Sequence, residues 1–302
     1  MTLLWDEDAK TYEKQYWQSR KNLGMTEESI KRDVSNLKLW LENHPYLPSS
    51  IVGVDENHWL ENYLLLNKND MERTKHNLEL YFKIRTSLPE GFTDRSPHSA
   101  DMYQSFKSVC LAVSPKLTPE GYMVVVFNHL NNRVSDFEVV PFAKRMVSMI
   151  DIHLRTGIHR TGTILIMDLH NSRIGHLARY QPLRLVRAFF SQVWGAYPER
   201  VVQIHIINSP LIFHAGLAFF RPFLKEKIRK RIMVHSNLES LYEYVPKSHL
   251  PKDYGGECAD KIELNWRWEK IMRENEEWLN ITAKKHKISD EKWSKINESS
   301  ST

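Results

Sequence analysis

Val201-Val-Gln-Ile-His-Ile-Ile207 carries β-branched residues at five of its seven positions. A strand with one wet face alternates polar and apolar residues, whereas a strand buried on both faces reads as a nearly unbroken apolar run. This stretch is of the second kind. Gly121-Tyr-Met-Val-Val-Val-Phe127, Thr163-Ile-Leu-Ile-Met-Asp168 and Arg231-Ile-Met-Val-His235 read the same way. Helical spacing fills the intervals, over Val140 to His153, Leu177 to Tyr197, Pro210 to Leu224 and Asn237 to Tyr244. Strands alternating with helices predict an α/β fold, a largely parallel sheet covered by helices.

Upstream of the first strand, residues 1–92 read as a helical module. Thr26-Glu-Glu-Ser29 makes a cap, and Ile30, Val34, Leu37 and Leu41 follow at helical intervals until Pro45 and Pro48 end the pattern. A second helix over Glu56 to Leu66 carries Trp59, Leu60, Tyr63 and Leu64, and a third from Asp70 to Thr86 carries Met71, Leu78, Phe82 and Arg85. Leu88-Pro-Glu-Gly91 marks the boundary. The expected organisation is a helical module at 1–92, an α/β/α domain at 93–257, and one amphipathic helix with a polar tail at 258–302. That last helix carries Leu264, Trp268, Ile271 and Trp278.

The 302 residues are 41% hydrophobic and 26% charged, which excludes wholesale disorder. Basic residues number 42 against 37 acidic, a net charge of +5 that is too small and too mixed for a nucleic-acid binder. Cys110 and Cys258 lie far apart, so neither a disulfide framework nor a cysteine-rich zinc site is expected. The opening Met-Thr-Leu-Leu-Trp-Asp-Glu-Asp-Ala-Lys10 does not read as a signal peptide, and no stretch reaches the 18 or so apolar residues of a membrane span. The reading is a cytoplasmic protein.

Catalytic motifs are missing. The sequence lacks GxGxxG, GxxxxGK[ST], the GxSxG nucleophile elbow and HExxH, so no catalytic residue, metal or cofactor is expected. His170 and His176 are six apart across a loop, His205 reads as a satisfied core histidine, and Asp168 at a strand's carboxyl end reads as the cap of the following turn. Two apolar stripes stand out: Leu185, Phe189, Val193 and Tyr197, then Phe213, Gly216, Leu217 and Phe220. They are either ordinary core or the walls of a cavity for an apolar ligand. Five bases and one acid follow in Lys225-Glu-Lys-Ile-Arg-Lys-Arg231, either a solvated helix face or a seat for anionic headgroups.

From Pro141 to Gly256 the chain resembles the CRAL-TRIO, or Sec14-like, lipid-binding family. The resemblance is carried by Ile166-Met-Asp168, Ser172-Arg-Ile-Gly-His176, Tyr197-Pro-Glu-Arg200, Ile204-His-Ile-Ile-Asn-Ser-Pro210, Arg221-Pro-Phe-Leu224, Glu226-Lys-Ile228 and Leu250-Pro-Lys-Asp-Tyr-Gly-Gly256. Within the family it is most similar to the α-tocopherol transfer and retinaldehyde-binding group. The resemblance implies a hydrophobic cavity floored by the sheet, with residues 211–224 as a helical lid bringing Leu211, Phe213, Leu217 and Phe220 to the ligand. It further implies ligand contacts from Met167, Phe189, Val193, Tyr197 and Ile204, with Phe142, Met146 and Ile150 approaching from the preceding helix. Arg200, Lys227 and Arg231, with Arg221 beside them, match the group's phosphoinositide-binding patch, although Val202 stands where a further base is expected.

The implied function is non-enzymatic: a monomeric cytoplasmic carrier of one tocopherol, retinoid, carotenoid or related isoprenoid, associating peripherally with phosphoinositide-bearing membranes. The first alternative is phosphatidylinositol exchange, whose family members share Glu199 but use arginines in a pattern like RFLRARKFD, where this chain has Asn62 and Leu65. A second, from another class, is an α/β hydrolase or metalloenzyme acting on lipid esters.

Overall fold

The computed structural model describes residues 9–156, 160–179, 195–210, 213, 226–289 and 291–294. Along the chain run α1 (Ala9–Lys21), α2 (Glu27–Glu42), α3 (Glu56–Leu66), α4 (Met71–Ser87), α5 (Ala100–Ser108), β1 (Val109–Leu117), β2 (Tyr122–His129), α6 (Val139–Thr156), β3 (Gly162–Asp168), α7 (Ile174–Ala178), β4 (Val201–Ile207), α8 (Glu226–Arg229), β5 (Ile232–Val234), α9 (Leu238–Tyr242), α10 (Lys261–Glu274) and α11 (Glu276–Lys285). The strands form one sheet in the order β1-β2-β3-β4-β5. β2 through β5 are parallel and β1 pairs antiparallel with β2. The fold is the α/β class read from the sequence.

Local chemistry explains the helix starts. Thr26 Oγ1 accepts from the Ser29 N–H while Ser29 Oγ accepts from the Thr26 N–H, a reciprocal box that opens α2. Asp55 and Asp70 cap α3 and α4 one way only, each carboxylate accepting the N–H three residues on, from His58 and Arg73.

Two expectations are corrected. β1 goes beyond the four expected strands: Pro115 lies inside it, where the pairing register shifts between Val113 and Leu117. Proline donates no ladder hydrogen bond and is tolerated on an edge strand such as this. The single expected C-terminal helix is two, since Asn275 turns its amide onto the Ile271 carbonyl at 2.8 Å and takes Arg155 Nη1 on its Oδ1 at 2.7 Å.

The sheet has two buried faces. Val124, Val126, Ile164, Ile166 and Ile207 pack under Leu241, Val245, Leu250 and Tyr254 on one side. On the other, Leu111, Val113, Met123 and Phe127 pack under Phe142, Met149 and Ile152 of α6 and Trp268 and Ile271 of α10. The N-terminal helices form a third core around Leu37, Trp59, Leu64 and Phe82, which reaches Val147 and Leu154 of α6 and Tyr197.

Candidate functional site

Strand register lines up Val125, Leu165, Ile204 and Ile232 in one row across β2 to β5. All four are only partly buried, although their neighbours Val124, Val126, Ile164 and Ile166 on the opposite face are 0–2% exposed. Met167, two residues on from Leu165, shares this face and is also partly buried. Met146 on α6 packs against the same cluster, and Phe142 meets Phe127 and Phe137 edge to face at ring distances of 5.8 Å. Ile150, one turn beyond Met146, packs toward the N-terminal core. Partly open apolar side chains at the centre of a sheet are what an apolar ligand needs as a floor.

Among the sequence-derived ligand residues, the structure therefore brings Phe142, Met146, Met167 and Ile204 to the α6 side of the sheet. Phe213 is half-buried, its N–H bonded to the Pro210 carbonyl at 2.8 Å. Phe189, Val193, Leu211, Leu217, Phe220 and Arg221 lie outside the described residues.

Tyr197 has a polar task that its place on an apolar stripe conceals. It is 1% exposed, and its hydroxyl donates to Asp151 Oδ1 at 2.6 Å and accepts from Arg85 Nη2 at 2.6 Å. Asp151 also holds Arg95 Nη1 at 2.8 Å, and Arg95 Nη2 reaches the Leu279 carbonyl and Thr282 Oγ1. Burial opposes ionisation of Asp151, but the two guanidiniums outweigh it and hold the carboxyl below its ordinary value. This network ties α4, α6, Tyr197 and α11 together.

Asp168 caps its turn, as expected: Oδ1 accepts from the His170 N–H at 3.0 Å. His205 is a satisfied core histidine, with Nδ1 2.8 Å from His235 Nε2 and Nε2 3.1 Å from Gln203 Oε1. Glu199 is ion-paired to the buried Arg160. Asn62, where the exchange proteins' pattern has an arginine, is 1% exposed with neither amide atom hydrogen-bonded.

The family described as CRAL/TRIO domain matches residues 109–256, the whole span from β1 to the turn after Tyr254. The chain carries a CRAL/TRIO domain. This is a family of lipid-binding and lipid-transfer proteins. A second family, described as Pinta-like, UBA domain, matches residues 26–102. The alpha-tocopherol transfer protein-like protein of Mus musculus is 26% identical over 78% of this chain and 67% of its own length. Clavesin-2 of Mus musculus is 27% identical over 58% of this chain and 57% of its own. The solved structure of Sfh5 aligns with a TM-score of 0.49 at 12% identity, over 84% of this chain and 99% of that one.

Three of the expected basic residues, Arg200, Lys227 and Arg231, act electrostatically on one further cation that the sequence did not single out, Lys68, and Arg73 acts on it with them. Lys68, exposed in the left-handed turn between α3 and α4, is held below its ordinary pKa first by Arg200 and also by Lys227, Arg73 and Arg231. Lys68 and Arg73 belong to the 26–102 match; Arg200, Lys227 and Arg231 belong to the CRAL/TRIO domain. Only folding makes them neighbours, which is why linear reading missed the first two. Arg231 Nη1 also donates to the Val201 carbonyl at 2.6 Å and Arg200 Nη1 to the Thr161 carbonyl at 3.3 Å. Among the described residues no helix is long and apolar enough to cross a membrane.

Proposed function

We propose that the protein is a non-enzymatic carrier that encloses one neutral hydrophobic molecule, of tocopherol, retinoid, carotenoid or related isoprenoid type, and exchanges it with anionic membranes. The row Val125–Leu165–Ile204 carries this reading: apolar side chains left partly open on the three interior strands want an apolar occupant. The printed name of the mouse relative, a tocopherol transfer protein-like protein, points the same way. The basic group around Lys68 and Arg200 is the docking element, drawn to phosphoinositide-bearing leaflets.

Phosphatidylinositol exchange is the weaker reading, because the Glu199 carboxylate is committed to Arg160 and Asn62 supplies no cation for a phosphate. An esterase reading finds no GxSxG nucleophile elbow in the sequence, and Asp168 is committed to a turn. The test is to extract the purified protein with organic solvent and identify the released molecule by absorption and mass spectrometry. Vesicle-to-vesicle transfer of that molecule follows. An extract and a binding panel empty of every hydrophobe would sink the proposal.

A further inference from the structure

The same sheet face carries one polar group that the cavity reading leaves unexplained. Met123, Val125, Phe127 and His129 follow at every second residue of β2, so His129 ends the apolar face at the strand's carboxyl end. Its ring stacks on His176, with centroids 4.0 Å apart and planes at 18°, and meets Phe127 and Phe137 edge to face at 5.2 and 4.9 Å. Phe137 in turn touches Phe142 of α6. Inside this aromatic box His129 is 4% exposed, and its Nδ1 is buried without a hydrogen-bond partner. Buried polar atoms are rarely left unpaired, and each one that is costs stability.

Resting on the carrier reading above, we propose that His129 Nδ1 is the hydrogen-bonding partner of the ligand's polar end, and that this end is a neutral hydroxyl, phenol or carbonyl rather than a carboxylate or phosphate. Three observations select a neutral group. Burial, aided by the neighbouring His176, pushes His129 down to about 4, and burial lowers His176 as well, so neither ring offers a cation at neutral pH. His176 Nδ1 accepts the Arg173 N–H at 2.9 Å, which places its own proton on Nε2 and keeps it a neutral imidazole. Asp168, the nearby strand-end carboxylate, is on the opposite face and satisfied there, so it neither repels nor pairs with a ligand on the α6 side. Arg173 and Arg179 also act on His176, but both are exposed to solvent. A neutral imidazole therefore pairs with a hydroxyl through either of its proton positions, while a buried anion beside it gains no buried cation.

The experiment uses matched probes on two skeletons: all-trans-retinol with its methyl ether and retinoic acid, and α-tocopherol with its methyl ether and its succinate. On the skeleton that binds, the alcohol should be preferred over the ether by roughly tenfold and over the acid by a hundredfold or more. His129→Phe keeps ring volume and should bring the alcohol-to-ether ratio close to one while leaving ether binding intact. His129→Gln, which restores a donor and an acceptor, should recover part of the preference. A folded His129→Phe protein that still prefers the alcohol by the full factor, or a wild type that binds the acid as tightly as the alcohol, overturns the assignment. Failure of every probe on both skeletons, together with an organic extract empty of any hydrophobe, overturns the carrier reading itself, an outcome distinct from loss of selectivity alone.

Discussion

Tyr254 donates its hydroxyl to Asp168 Oδ2 at 2.9 Å across 86 residues of sequence, and the other oxygen of that carboxylate takes the Asn208 amide and the His170 N–H, each at 3.0 Å. Three separate sequence motifs thus close on one buried side chain. Asn208 sits at φ 52, a left-handed conformation that asparagine accepts more readily than most residues. Asp168→Ala would leave a hydroxyl, an amide and a backbone N–H without their acceptor, at a cost of about 2–4 kcal/mol in urea denaturation, and Tyr254→Phe about 1 kcal/mol. A loss below about 0.5 kcal/mol for Asp168→Ala would contradict the central role given to this carboxylate.

Asp151 neutralises one of two buried guanidiniums, Arg85 and Arg95, and its removal leaves both uncompensated. Breaking such a buried pair from one side costs about 3–5 kcal/mol. Asp151→Ala should therefore melt far earlier than wild type, whereas Tyr197→Phe, which removes only the hydroxyl, should cost about 1–2 kcal/mol. Equal melting temperatures for the two variants would show that the carboxylate is not what holds the helices to the sheet domain.

Stability should fall in mild acid. Burial is the first cause that lowers His129, His205 and His286 to about 4, against an ordinary 6.5. Above 6.5 both folded and unfolded chains are neutral at these positions and pH has no leverage through them. Below it the unfolded chain takes up protons that the folded one refuses, so unfolding is favoured progressively until about pH 4. Each histidine contributes up to about 1.4 kcal/mol per pH unit in that window. A thermal melt series from pH 7.5 to 4.5 should show a steady drop that begins near 6.5. A flat series would mean these rings titrate normally.

The legible parts of the fold were those in which local pattern and final environment agree. β3 and β4 are interior strands of the sheet, and over 164–167 and across β4 the apolar runs are broken only by Gln203 and His205, which pair with each other. β1 was hidden because Ser114 and Pro115 break its apolar run, and only its place at the sheet edge makes them tolerable. For the candidate site, the family resemblance pointed to Met167 and Ile204, but they lie on different strands and only the register puts them on one face. Tyr197 shows the limit most sharply. Its stripe is apolar, while the partners that claim its hydroxyl come from Arg85 and Asp151, 112 and 46 residues away. His129 carried no motif, and only the missing partner at Nδ1 draws attention to it.

The basic group offers a test that separates docking from ligand binding. Arg231 is a poor target, since its guanidinium holds the Val201 carbonyl and its loss would disturb β4. Lys68 and Lys227 are exposed, and replacing both with alanine removes two charges with little effect on the fold. A lysine close to an anionic leaflet contributes about 1 kcal/mol, so the double variant should bind phosphoinositide-containing vesicles more than tenfold more weakly at low salt. The gap should narrow as salt shortens the screening length toward 8 Å and below. Affinity for a hydrophobic ligand in detergent-free solution should be unchanged, because both side chains lie at the surface. The pKa of Lys68 gives an independent readout. Arg200 and the other cations depress it in the free protein, and a bound phosphate would offset them, so it should rise on adding a soluble inositol phosphate. Wild-type vesicle binding by the double variant, together with an unmoved Lys68, would reduce the group to a solvated face and leave membrane contact to other parts of the chain.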